Sequence, residues 1–160
     1  MKILESQVAD LLVSHGQIVL RSRAFDETVS RWGPVNIEQG AIIHPDYVIF
    51  DPLPEDAFGA NVNIRLVNDF ILSVDAQRCI VVPFEVSDND EFVVASAMEV
   101  VKINLDLTPG GDLVYFEICE GHEVYYNFSF VPADVPVAPM YLLDDPWGGV
   151  KGKKLHCGNL

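Results

Sequence analysis

Between Val100 and Phe130, apolar and polar residues alternate so regularly that few folds stay open. Val101, Ile103, Leu105 and Leu107 are apolar, with Lys102, Asn104 and Asp106 between them. Pro109-Gly110-Gly111-Asp112 then reads as a turn. In the next run, Leu113–Cys119, Val114, Phe116 and Ile118 share a face; Glu120-Gly121-His122 reverses the chain again. Val124, Tyr126, Phe128 and Phe130 then alternate with Glu123, Tyr125, Asn127 and Ser129. A side-chain period of two belongs to a strand with one buried face. Short turns between such runs predict three consecutive strands in an antiparallel meander.

The pattern continues upstream. Ile80, Val82, Phe84 and Val86 share a face while Pro83 lies on the other, which predicts a strand at an edge or with a bulge. Ser87-Asp88-Asn89-Asp90 is a turn and Glu91–Ala95 a short returning strand. Val62, Ile64 and Leu66 alternate with polar neighbours, and Asp46–Phe50 and Leu11–Leu20 complete the set, the latter broken near His15-Gly16. One short helix is predicted around Val35–Ile43, after Pro34. The expectation is a mostly-β chain, an antiparallel β-sandwich of about six to eight short strands with one short helix. Its 160 residues suit one domain, and 49% hydrophobic residues suffice for a core. Residues 1–147 are assigned to that domain. Residues 148–160, with Lys151, Lys153 and Lys154, are read as a flexible basic tail.

Charge narrows the function classes. Ten basic residues stand against 24 acidic ones, a net charge of −14. From Ile103 to Val150 there is no Lys or Arg, but Asp106, Asp112, Glu117, Glu120, Glu123, Asp134, Asp144 and Asp145 all fall there. Such a field repels nucleic acid and anionic membranes and steers cationic partners inward. Neither direct nucleic-acid binding nor membrane insertion is therefore expected, and no apolar run reaches the roughly 18 residues of a membrane span. The opening MKILESQVADLLVSH lacks the apolar stretch of a secretory signal, and Cys79, Cys119 and Cys157 form no CxxC pair. A reducing, cytoplasmic setting follows as the expectation.

Catalytic and cofactor templates fail on spacing. His15, His44, His122 and His156 are scattered, so no metal site is expected. Gly110-Gly111 and Gly148-Gly149 open no helix and cradle no phosphate, so no cofactor is expected. A glycosidase needs two carboxylates facing one another across a cleft. Asp88, Asp90 and Glu91, or Asp144-Asp145, lie instead in turns that solvate them. Tyr115 and Tyr125, on the polar parity of neighbouring strands, could form an exposed aromatic patch suited to a protein interface or a sugar. Three readings remain: a protein that binds a partner with a basic face, a carbohydrate- or small-ligand-binding β-sandwich module, or, against the failed templates, an uncharacterised hydrolase with convergent carboxylates in a cleft. The expectation is that the chain is not an enzyme.

An ordered series of short segments resembles the competence protein ComJ family. It comprises Val82-Pro83-Phe84-Glu85-Val86, Ser96-Ala97-Met98, Asn104 through Asp112, Val131-Pro132-Ala133-Asp134 and Met140-Tyr141-Leu142-Leu143-Asp144. Trp32, Glu38-Gln39-Gly40 and Tyr47–Asp51 fit the N-terminal half, so the resemblance covers roughly residues 10–145. It implies a small inhibitor that binds and silences a DNA-degrading nuclease, or an immunity protein against a nuclease toxin. The partner would be a cognate nuclease with a basic active-site groove. Charge and turn positions place the contact surface on Asp88, Asp90 and Glu91, on Glu120, Glu123 and Tyr125, and on Asp144, Asp145 and Trp147.

Overall fold

The computed structural model describes residues 1–13, 16–54, 59–107, 110–133, 135 and 137–160. His15, Pro109 and Asp134, which enter the sequence reading, lie outside the described residues. The elements in order are β1 (Ile3–Leu12), β2 (Ile18–Arg21), α1 (Pro34–Gln39), β3 (Ala41–His44), β4 (Tyr47–Phe50) and β5 (Gly59–Val67). They continue with β6 (Ala76–Phe84), β7 (Val93–Ala95), β8 (Val100–Lys102), β9 (Asp112–Glu120), β10 (Val124–Pro132) and β11 (Met140–Tyr141). One sheet has the order β1-β5-β10-β9-β6-β11 and the other β3-β4-β2-β7-β8. Every pairing is antiparallel except β5 with β10.

The mostly-β, sandwich-like class matches the sequence reading, and the period-two sets form the core. Val62, Ile64, Ile80, Val82, Val114, Phe116, Phe128 and Phe130 from the larger sheet meet Ile18, Leu20, Val48, Phe50 and Val94 from the smaller. Phe50 stacks on Phe116 across the layers, with ring centroids 4.1 Å apart. Fully burying one such ring is worth roughly 1.5–3 kcal/mol.

The meander differs from its expectation. Strands β9 and β10 pair, with Phe116 opposite Phe128, but β8 belongs to the other sheet and pairs with β7. The flanks of the β9–β10 hairpin are taken by β6 and β5. The chain crosses between layers after Lys102, burying Ile103 and Leu105 on the way. There the Gln7 side chain stands in for a strand: its amide donates to Lys102 O at 2.7 Å and accepts from Asn104 N at 2.9 Å. The helix is also shorter than predicted, because Gly40 at φ +80° ends it and Ala41 begins a strand. Pro83 sits as its ring requires. Cys79 O accepts from Leu142 N, so the main chain of Pro83, four residues on, points to the same side, past the end of β11.

Residues 148–160, set apart as a tail in the sequence reading, lie along the sandwich. Tyr141 N donates to Lys153 O and Leu155 N to Pro139 O, beside β11; Gly158 N donates to Ile43 O, beside β3. The segment thus covers one of the two edge strands of each sheet, and Leu155 is buried in the core.

Candidate functional site

Strand β6 separates two ends of the sandwich by about 26 Å, eight steps of roughly 3.3 Å. At the Phe84 end, the β3–β4 turn, the end of β6, the start of β9 and the chain after β10 enclose a cavity of about 420 Å³. Its walls are mostly apolar, including Ile43, Pro45, Phe84, Leu113 and Val135. Asp112, Glu85, His44 and Cys157 also line it, and no Lys or Arg does among the described residues. Asp112 is 3% exposed, and neither carboxylate oxygen has a hydrogen-bond partner among the described residues. Its neighbours across the sheet are Phe84 and Pro132, which offer no side-chain donor. Burial pushes this carboxyl up to about 6.

Asp88, Asp90 and Glu91 lie toward this same end. Asp88 Oδ1 accepts from Asp90 N at 2.9 Å, shaping a 3-10 turn over Asn89–Glu91. Glu91 reaches Arg21 Nη1 at 3.6 Å. Ser87 Oγ donates to Asp46 Oδ2 at 2.8 Å, and Asp46 also meets Arg23 Nε at 3.2 Å, next to Pro45 of the cavity. Glu85, Asp88 and Asp90 remain exposed.

Glu120, Glu123 and Tyr125 are at the other end. Tyr125 Oη donates to Asp75 Oδ2 at 2.6 Å, and this bond, with burial, pushes the phenol up to about 12. Residues 68–75 fold over the outer face of the larger sheet: Phe70 stacks on Tyr115 at 4.0 Å and Ser73 N donates to Glu117 Oε2 at 2.8 Å. Under this cover, fully buried Glu117 meets Arg65 at 3.5 Å and accepts from Asn127 at 3.1 Å. The two tyrosines therefore do not share an open aromatic patch; Tyr115 lies under Phe70 and Tyr125 is tied to Asp75. Burial and the Glu117 charge raise the Cys79 and Cys119 thiols, Cys119 to about 12, which leaves both protonated.

Asp144, Asp145 and Trp147 follow β11. Asp144 is exposed and accepts from Lys151 N at 2.9 Å. The Asp145 side chain has no exposed surface and grips Arg78 at two points, Nε–Oδ2 2.7 Å and Nη2–Oδ1 3.1 Å. Burial pushes the Asp145 carboxyl up. The Arg78 bonds and the Gly149 and Trp147 N–H groups outweigh it and hold the carboxyl below its ordinary value. The Trp147 ring lies 5.8 Å from the Arg78 guanidinium carbon.

The structure thus places Asp88, Asp90 and Glu91 toward the Phe84 end without any of them lining the cavity, puts Glu120, Glu123 and Tyr125 at the far end, and folds Asp145 inward. Asp112 was missed as a site residue because it was counted as part of a turn. Its parity was the available signal: it shares the two-residue phase of Val114, Phe116 and Ile118, and so faces the core. Among the described residues, no group of three or more His, Cys, Asp or Glu side chains is placed to hold a metal ion.

Fold and surface together define an acidic, β-rich protein of two sheets. Residues 10–131 match the family model described as Competence protein J (ComJ), and the chain belongs to that family. Among solved structures, it is similar to the crystal structure of ComJ from Bacillus subtilis, described as an inhibitor of the DNA degrading activity of NucA. The two share 20% identity and a TM-score of 0.63, over 82% of this chain and 98% of that one; at that identity the likeness carries the fold. No curated protein sequence matches the chain.

Proposed function

We propose that this chain is a protein inhibitor of a DNA-degrading nuclease, docking its acidic Phe84 end over the nuclease's basic substrate groove. Membership of the ComJ family carries the reading, together with what the Bacillus subtilis relative is described as doing. Charge supports the mode. A net charge of −14 steers the protein toward a surface built to hold phosphates, and carboxylates seated there exclude DNA. The Phe84 end is favoured because a mostly apolar cavity lined by Glu85 and Asp112 lies there and exposed Asp88 and Asp90 lie toward the same end. A centre of apolar contact ringed by charge is the usual anatomy of a tight interface.

The test is DNA degradation by NucA, and by a DNA-degrading nuclease of the same genome, with the purified chain in excess. The expected result is loss of cleavage by at least one of them, with affinity falling as salt rises. Undiminished cleavage by both rejects the reading.

A further inference from the structure

We infer that the cavity at the Phe84 end receives one long basic side chain, Lys or Arg, from the partner nuclease, with Asp112 as its counter-charge. This rests on the inhibitor reading above and names the anchor within it. Asp112 is the reason. A buried carboxylate with no donor carries a desolvation cost that the fold leaves uncompensated. Arg21 and Arg78, the buried cations among the described residues, already have Glu91 and Asp145 as partners, and half-buried Arg65 has Glu117. What lines the rest of the cavity suits the occupant: apolar walls take the methylene stem of Lys or Arg, and a carboxylate takes its head. About 420 Å³ is ample for one such side chain. Glu85 lines the cavity and exposed Asp88 and Asp90 lie toward the same end, so the local charge favours the approach of a cation.

Among the described residues, the other titratable groups facing the cavity are His44, bonded at Nε2 to Asn159 Oδ1 at 2.8 Å, Glu85 and Cys157. None supplies a fixed cation. A carboxyl poised near 6 ionises fully when a cation enters, so binding should weaken as pH falls below about 6.

The experiment compares the full chain with Asp112→Asn against the nuclease that the wild type inhibits. Because the carboxylate has no partner inside the fold, the Asn variant should fold with equal or higher stability. Its affinity should fall about 30-fold or more, as when one side of a buried interfacial charge pair is removed. A second measurement needs no mutation. Cys157 is exposed and lines the cavity, whereas Cys79 and Cys119 are buried, so N-ethylmaleimide should modify Cys157 selectively. The adduct should abolish inhibition, and bound nuclease should protect Cys157. A third arm changes the nuclease's groove Lys and Arg residues to Met one at a time; one of them should lose its effect in the Asn background. Equal inhibition by wild type and Asp112→Asn, or full inhibition by the Cys157 adduct, overturns the inference and leaves the inhibitor reading standing. Failure of the wild type to inhibit removes both. Asp112 dependence without any coupled Lys or Arg overturns the assigned occupant.

Discussion

Arg78 and Asp145 form a two-point ion pair in which neither side chain is open to solvent, at 2.7 and 3.1 Å. The pair joins β6 to the turn after β11, and Gly40 makes room for it. A Cβ at position 40 would lie 2.5 Å from Arg78 Nη1, and the residue's φ of +80° is itself a glycine conformation.

Asp145→Ala should therefore destabilise the protein by about 3–5 kcal/mol, because it leaves the Arg78 guanidinium buried and uncompensated. Urea unfolding would measure it through the midpoint. Trp147 fluorescence should change in the native state as well, since Asp145 also accepts from Trp147 N at 2.9 Å. A loss under 1 kcal/mol would mean the pair is solvated in solution.

Asp112 predicts an inverted pH dependence. Its folded-state value is raised from 3.8 to about 6, so between these limits the folded protein holds a proton that the unfolded chain has released. The folded state then binds more protons, and the contribution of this group to stability falls as pH rises from about 4 to about 6. Asp112→Asn removes that term. The variant should match wild type near pH 4 and exceed it by roughly 2–3 kcal/mol at pH 7. Chemical denaturation at the two pH values checks the sign; a variant less stable than wild type at pH 7 refutes it.

Much of this architecture could be read directly, and the failures share a cause. Period-two patterns located Ile80–Phe84, Val114–Ile118 and Val124–Phe130, because burial on one face repeats along a strand whatever its neighbours are. Neighbours were not legible. Val101, Ile103 and Leu105 alternate like a third hairpin strand, yet the chain crosses between sheets there and Gln7 occupies part of its main chain. Side-chain parity is blind to that choice. Glu120 and Glu123 share charge and a turn position with Asp88 and Asp90, and neither feature encodes which end of β6 a turn occupies. Asp145 looked like a surface acid because its partner is 67 residues away.

Asn36 and Gln39, three residues apart on α1 and both buried, hold residues 156–160 by their main chain. Gln39 donates to His156 O at 2.9 Å and accepts from His156 N at 2.8 Å; Asn36 donates to Gly158 O at 2.9 Å and accepts from Leu160 N at 2.8 Å. Replacing either by Ala strands buried main-chain groups and should cost about 1–3 kcal/mol. Amide hydrogen exchange should speed up at residues 156–160 and leave β9 and β10 protected, because the segment is held at an edge and not within the hairpin. Gly33→Ala should act similarly, since its Cβ would collide with the main chain of Leu160.

Which end of the sandwich would meet the proposed nuclease partner can be separated from the mere sign of the chain's charge. Glu85→Lys with Asp90→Lys, and Glu120→Lys with Glu123→Lys, make the same four-unit change in net charge at opposite ends of β6. All four residues are exposed, and no side-chain hydrogen bond or ion pair of theirs is seen among the described residues, so neither pair should unfold the protein. If only the overall field steers association, both variants should slow it equally. If docking occurs at the Phe84 end, the first pair places cations inside the contact, where separations are a few ångströms and screening is weak. Association should then slow about tenfold or more for Glu85→Lys/Asp90→Lys and change much less for Glu120→Lys/Glu123→Lys at low salt. At about 0.5 M salt the effect of the distant pair should vanish and that of the docked pair persist in the dissociation rate. Stopped-flow association with the inhibited nuclease at two ionic strengths measures this, and a larger effect from the Glu120/Glu123 pair would move the docking surface to the other end.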